Sequence, residues 1–422
     1  MVYIILYSVI ALLCILLHLS KTHKFPTRRD LNGSCCRIGG DNSFEYVLIG
    51  VSAAALILVR SLRYGIGIDY FYTYVPRFTE CLLGRTPSWG DWLYSCLMGL
   101  SGTLSPDFRL FFLLDSVIFI ILLFYSFRAL SPNTLLSVLL LCVSYHYLRS
   151  FIFQAQYLAL AVSMFSIAQS FSFQKKWIAI VGIIVASGFH SSVLIVLPIY
   201  LIAIFFANNQ VISKKSMMLI SIAFPIVIVL IRPLIPVITE TVLEDTRYSV
   251  YFSSRFAQDG PSWRLILTNL VILIFMLVIY STSSKAKNNY SRFFLIFQSF
   301  AVCMSFLTGV VPLMYRICLY PMIFQVLAIP HFIYCMKSDR CGLYTLVLIV
   351  FAFSAVQFLY IAREDGDGVF PYVSTFNKSA LEGELRDLES HSLGDYFWAV
   401  DALGYSGQGL EDVRQRLDAY RS

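Results

Sequence analysis

Apolar runs of roughly 17–22 residues recur along most of the chain, parted by short polar joints. A run of that length crosses a bilayer as a helix, because about 20 residues at 1.5 Å each match the hydrocarbon thickness. The pattern predicts membrane helices over 2–19, 44–60, 108–128, 133–149, 151–172, 176–189, 191–207, 216–237, 264–281, 292–309, 315–336 and 342–361. The short alternating segments of a membrane β-barrel are missing. The run 92–104 holds Gly99 and Gly102 and covers about half a span, which predicts a re-entrant or interfacial segment. The expected fold is therefore an all-α polytopic membrane protein with about 12 transmembrane helices. Long polar gaps fall at 61–107 and 238–263. From 363 the pattern turns acidic and polar, so 1–362 reads as the membrane domain and 363–422 as a helical tail. A solvated appendage is the plainer reading of that tail, with covering a site or docking a partner as the others.

Composition agrees with burial in lipid. The 422 residues are 58% hydrophobic, 16% aromatic and 14% charged, against about a quarter charged in soluble domains. The net charge of +7 is spread over loops rather than clustered, which argues against a nucleic-acid surface. Lysine and arginine divide unevenly. With the helices above, Lys21, Lys24, Lys175, Lys176, Lys214, Lys215, Lys285, Lys287 and Lys337 fall on one side, which the positive-inside rule makes cytoplasmic. Both termini then face outward, away from the cytoplasm. The outer loops before the tail carry arginine only, including Arg60, Arg63, Arg149, Arg247, Arg255 and Arg316. A guanidinium fork suits phosphate and carboxylate, so these residues either bind an anionic ligand or pair with nearby acids such as Asp69 and Asp91. Most of the ten cysteines sit in apolar runs, and no metal-site spacing occurs. P-loop and dinucleotide motifs are missing too, so neither a metal nor a cofactor is expected.

The densest polar stretch is Arg60-Ser-Leu-Arg63-Tyr-Gly65-Ile-Gly67-Ile-Asp69-Tyr70-Phe-Tyr-Thr-Tyr74, directly after an apolar helix. Arg60 and Arg63 stand one turn apart, so both forks could reach one anion. Gly65 and Gly67 end the helix and permit close backbone approach. Asp69 could take a proton or orient an arginine, while Tyr70 and Tyr74 offer hydroxyls and rings to a sugar. The plainer alternative is a helix end with snorkelling arginines and an aromatic belt. His190, in Gly188-Phe-His190-Ser-Ser192, suits general-base work or merely ends a helix. Arg316 starts a helix, where the dipole does not favour a cation, and so calls for an anionic partner. Asp115, deep in a helix, reads as packing or a proton relay.

Taken in order, these stretches resemble the EpsG-type polysaccharide polymerases, relatives of the Wzy O-antigen polymerases. The resemblance rests on Arg63-Tyr-Gly-Ile-Gly67-Ile-Asp69-Tyr70 with Tyr74, on Gly188–Ser192 before Pro198, on Tyr315-Arg316-Ile-Cys-Leu-Tyr320, and on Phe370-Pro371-Tyr372. It covers about 1–375. Two positions depart: Ile68 stands where a threonine is expected, and Ala155-Gln156 replaces an Arg-Gln pair, with Arg149 six residues earlier. The resemblance implies a GT-C-like architecture and polymerisation of undecaprenyl-diphosphate-linked oligosaccharide at the outer face of the membrane. A chain-length-determining co-polymerase would be a partner. It implies His190, Asp69, Arg63 and Arg316 as catalytic residues. Tyr70, Tyr74 and Gln156 in the matched stretches, with the outer arginines Arg60, Arg149, Arg247 and Arg255 suited to an anion, are the candidate substrate-binding residues. A flippase of lipid-linked sugars and a membrane polysaccharide acyltransferase are the alternatives.

Overall fold

Lipid offers no partner to a bare backbone, so apolar runs must satisfy their own N–H and C=O groups as helices. The computed structural model describes residues 2–20, 43–85, 91–209, 211–235, 262–311, 313–336, 368–370, 372–376 and 385–403, with isolated positions between 355 and 363. Among them the regular structure is helical: α1 Val2–Ser20, α2 Ser43–Ser61, α3 Val75–Leu82, α4 Trp92–Leu104, α5 Phe108–Leu130, α6 Thr134–Val143, α7 His146–Ile152 and α8 Gln154–Ser172. Then come α9 Lys176–Ala186, α10 Val196–Asn208, α11 Lys214–Ile231, α12 Trp263–Thr282, α13 Asn289–Phe306, α14 Met314–Met322, α15 Gln325–Cys335 and α16 Leu385–Ala402.

Six helices or joined helix pairs among the described residues are long and apolar enough to cross a membrane, and a bent pair would make seven. Helices α1, α8 and α13 also reach 18–19 residues. The predicted helix 342–361 lies almost wholly outside the described residues. Helix α4 has 13 residues, roughly 20 Å at 1.5 Å each, too short to cross. Its first turn touches Gly188, and Pro106 just beyond its end touches Tyr396 of α16.

The expected single helix 133–149 is broken instead. Ser144 turns its hydroxyl back onto the Leu140 carbonyl at 2.6 Å, and Tyr145 adopts a left-handed φ of 68°. Such back-bonding competes with helix continuation. Helix α7 therefore leaves α6 at 59°, and a second break at Phe153 precedes α8. Close packing of α8 on α9 depends on Gly182, where a Cβ would lie 1.9 Å from the Ser166 hydroxyl. Small residues permit such approaches where lipid supplies no hydrophobic drive.

The polar contacts sort by end. Toward one end lie Arg128 with Tyr46, Lys214 with the Ser281 carbonyl, and Arg292 on the carbonyls of Asn209 and Ile212. Toward the other lie the start of α1, residues 62–76, the α7–α8 break, 188–192, the start of α14, and 368–376. Tyr3 donates to the Val369 carbonyl at 3.0 Å, tying the start of α1 to that last segment.

The described part of the tail is docked, which overturns its reading as a solvated appendage. Residues 368–370 and 372–375 run beside 62–67: Gly67 N–H reaches the Gly368 carbonyl (2.8 Å), Tyr64 N–H the Val373 carbonyl (3.0 Å), and Thr375 N–H the Leu62 carbonyl (2.9 Å). Helix α16 lies beyond, burying Leu393, Tyr396 and Val400. Ser392 donates to the Phe71 carbonyl, and the Tyr64 hydroxyl meets Glu389 at 2.6 Å.

Candidate functional site

Two layers of polar residues occupy the end where α1 starts. The inner layer is closed. Arg60 is fully buried; its Nη1 lies 2.6 Å from Asp115 Oδ2 and 3.0 Å from the Ser116 hydroxyl. Its Nε and Nη2 donate to Ser150, and Phe119 stacks on the guanidinium. Every arm is engaged within the fold, so Arg60 cannot share an anion with Arg63 as its spacing suggested. Arg63 is also fully buried, between the rings of Phe112 and Phe151. It donates to the Arg60 carbonyl and, at 3.5 Å, to the Phe151 carbonyl, leaving Nε without a partner. Burial first and the Arg60 charge second bring its pKa down to about 10. Direct catalytic contact by Arg63 does not fit this enclosure; the residue backs the α7–α8 break instead.

Other residues of the stretch belong to the same layer. Tyr70 is buried and stacked on Phe112 at 4.8 Å, a core ring rather than a sugar platform. Tyr74 is buried too: its hydroxyl donates to the Ile152 carbonyl (2.7 Å) and accepts from Gln154 N–H (2.8 Å), clamping the break. Burial raises the pKa of both phenols. Gly67 has φ 88°, and a Cβ there would meet the Phe151 carbonyl at 3.2 Å, so glycine permits both conformation and approach. Gln156 is buried and donates to the Arg316 carbonyl at 2.7 Å, which makes it a brace rather than a ligand.

The outer layer is open. Arg316, half-buried in the first turn of α14, lays its guanidinium over Phe153 at 4.5 Å and donates to the Tyr315 hydroxyl. No carboxylate among the described residues stands within ion-pair distance of it. Asp69 is half-buried nearby. Burial raises its carboxyl pKa, while the charges of Arg316 and Arg77 and a bond from Thr73 act in the opposite direction. One turn along α14, the Tyr320 hydroxyl lies 2.7 Å from that of Ser192 and also meets Gln156. Ser192 is two residues from His190, so this chain of contacts ties the His190 segment to the Arg316 helix. Arg149 is half-buried against Tyr145. Arg247 and Arg255 lie outside the described residues.

His190 is 35% exposed at its side chain, and its Nδ1 lies 2.8 Å from Asp91 Oδ2. The other Asp91 oxygen accepts Ser191 N–H at 3.0 Å. From the sequence Asp91 reads only as a possible counter-ion for arginine, and its separation of 99 residues from His190 hides the pairing. The available signal was an aspartate just before a helix. Such a residue normally caps its own helix, and this one does not. No group of three or more His, Cys, Asp or Glu among the described residues is arranged to hold a metal.

Chemically, the outer layer offers an imidazole with one nitrogen held by a carboxylate, an arginine with no carboxylate partner among the described residues, and a partly buried acid. Searches of the curated proteins and of the solved structures return no match. The EpsG family matches over residues 46–374, which takes in the glycine-broken stretch, Gly188–Ser192, the Arg316 helix and the segment paired with 62–67. With well over half of its length matched, the chain belongs to the EpsG family.

Proposed function

We propose that the protein polymerises undecaprenyl-diphosphate-linked oligosaccharide units into O-antigen or a related polysaccharide. The observation that carries this reading is the outer layer itself: accessible His190 and Arg316 joined through Ser192, Tyr320 and Gln156, with Asp69 within electrostatic reach. Family membership supports a membrane polymerase of polysaccharide. In this mechanism an acceptor sugar hydroxyl bonds to the anomeric carbon of the donor glycan as the bond to the lipid diphosphate breaks. The hydroxyl proton goes to His190 Nε2 and then to water. Negative charge grows on the departing diphosphate, and the Arg316 fork, fixed before reaction, stabilises it. Asp69 orients Arg316 or the acceptor hydroxyl. Arg149 lies behind the break as a second cation.

With the twelve crossings expected from the sequence, both termini and the site would face outward from a bacterial inner membrane, and the lysine distribution supports that side. A chain-length-determining co-polymerase is the partner this reaction calls for. The test is purified protein in detergent with a defined lipid-diphosphate oligosaccharide. Lengthened lipid-linked product supports the reading. A flippase would show none, since without a bilayer there is nothing to cross. A requirement for an acyl donor would indicate an acyltransferase.

A further inference from the structure

We propose that Asp91 is the positioning residue that holds His190 with Nε2 unprotonated and facing the acceptor, and that Gly188 allows the two to meet. The inference rests on the polymerase reading for its chemistry, but its geometry stands separately. Asp91 is the residue just before α4, where an aspartate ordinarily accepts N–H groups of its own first turn. Here both carboxylate oxygens turn away, one to His190 Nδ1 (2.8 Å) and one to Ser191 N–H (3.0 Å). The second bond matters because it fixes the carboxylate against the backbone of the segment that carries His190. The imidazole therefore cannot rotate without losing a charge-assisted bond.

Gly188 brings the two segments together. Leu93 N–H, in the first turn of α4, donates to the Gly188 carbonyl at 2.8 Å. A Cβ at Gly188 would stand 3.0 Å from both Leu93 Cβ and the Trp92 ring, so a larger residue would push the start of α4 away. Asp91 is the next residue back and would move with it. Short α4 thus delivers one carboxylate to the outer layer.

The chemistry follows from which nitrogen holds the proton. With Nδ1–H donated to Asp91, the Nε2 lone pair is free to take the acceptor hydroxyl proton as the new glycosidic C–O bond forms and the bond to diphosphate breaks. The resulting imidazolium keeps its Nδ1 proton, and the carboxylate stabilises the cation without taking a proton from it. Nε2 then loses the acquired proton to water.

The test combines a spectroscopic readout with a kinetic one. Protein labelled with ¹⁵N-histidine is reconstituted in lipid nanodiscs, and His190→Ala identifies the His190 resonances. The inference predicts a wild-type imidazole protonated at Nδ1, a shift toward Nε2 protonation in Asp91→Asn, and recovery in Asp91→Glu. In parallel, kcat for lengthening falls on the order of 10²-fold in Asp91→Asn, with KM little changed and partial rescue by Asp91→Glu. Elution as the same monodisperse species guards against misfolding. An identical His190 tautomer in wild type and Asp91→Asn overturns the inference, whatever the activity. Failure of the wild type itself to lengthen glycan overturns the polymerase reading instead, and the tautomer result still decides the positioning role.

Discussion

Arg60 and Arg316 are the same residue type near the same end of the molecule, yet the fold completes one and leaves the other open. Arg60 meets Asp115 at 2.6 Å with both side chains fully buried, and hydroxyls and a carbonyl use its remaining arms. Arg316 stays half-buried, reaches a phenol and a ring, and feels Asp69 only at a distance. A buried arginine with every donor engaged within the fold specifies structure. A cation with no carboxylate at ion-pair distance among the described residues has capacity left for a ligand. Their substitution should therefore separate stability from activity.

The largest effect is expected at the closed pair. Arg60→Ala strands a buried carboxylate, which costs about 3–5 kcal/mol. Thermal unfolding in detergent and membrane yield should both fall sharply, and replacing Arg60 and Asp115 together by leucine should recover much of the loss. Unchanged unfolding in Arg60→Ala would remove the structural half of the comparison.

Arg316→Ala should act in the opposite sense. Thermal stability holds while kcat drops roughly 10²–10³-fold, the range for losing one donor to developing charge. Arg316→Lys should recover only part, since a point charge lacks the fork. Equal losses of stability and rate would place Arg316 in the inner layer instead.

Gly182→Val tests whether the outer layer depends on a firm scaffold. The added side chain collides with Ser166, and overpacking of this kind costs about 1–3 kcal/mol. Melting should drop, with activity per folded molecule retained. The smallest effect is expected for Tyr64→Phe, which removes only the buried bond to Glu389, on the order of 1.5 kcal/mol, the low end for a charged partner. Limited proteolysis should then cut around α16 sooner, while the rest of the molecule stays resistant.

Much of the architecture could be read in advance because it follows from runs of apolar residues. The positions of α2, α5 and α12 match expectation within two residues. The breaks around α7 could not, since Ser144 and Tyr145 look like ordinary helix residues until the hydroxyl turns back and φ turns positive. His190 and Arg316 stand out in the sequence as candidates because imidazole and guanidinium are costly at a helix end in lipid. Whether a charge is already paired was not: spacing put Arg60 beside Arg63, while its partner Asp115 lies 55 residues on. Asp91 was obscured in the same way. The acidic tail misled because charge on one face hid the buried Leu393, Tyr396 and Val400 of α16.

The most direct test is to follow lengthening of a defined lipid-diphosphate oligosaccharide by purified wild type, His190→Ala and Arg316→Ala, each confirmed folded by its melting curve. The account predicts a product ladder from wild type, and rates reduced at least on the order of 10²-fold in both variants with melting unchanged. Wild-type ladders from both variants would contradict it.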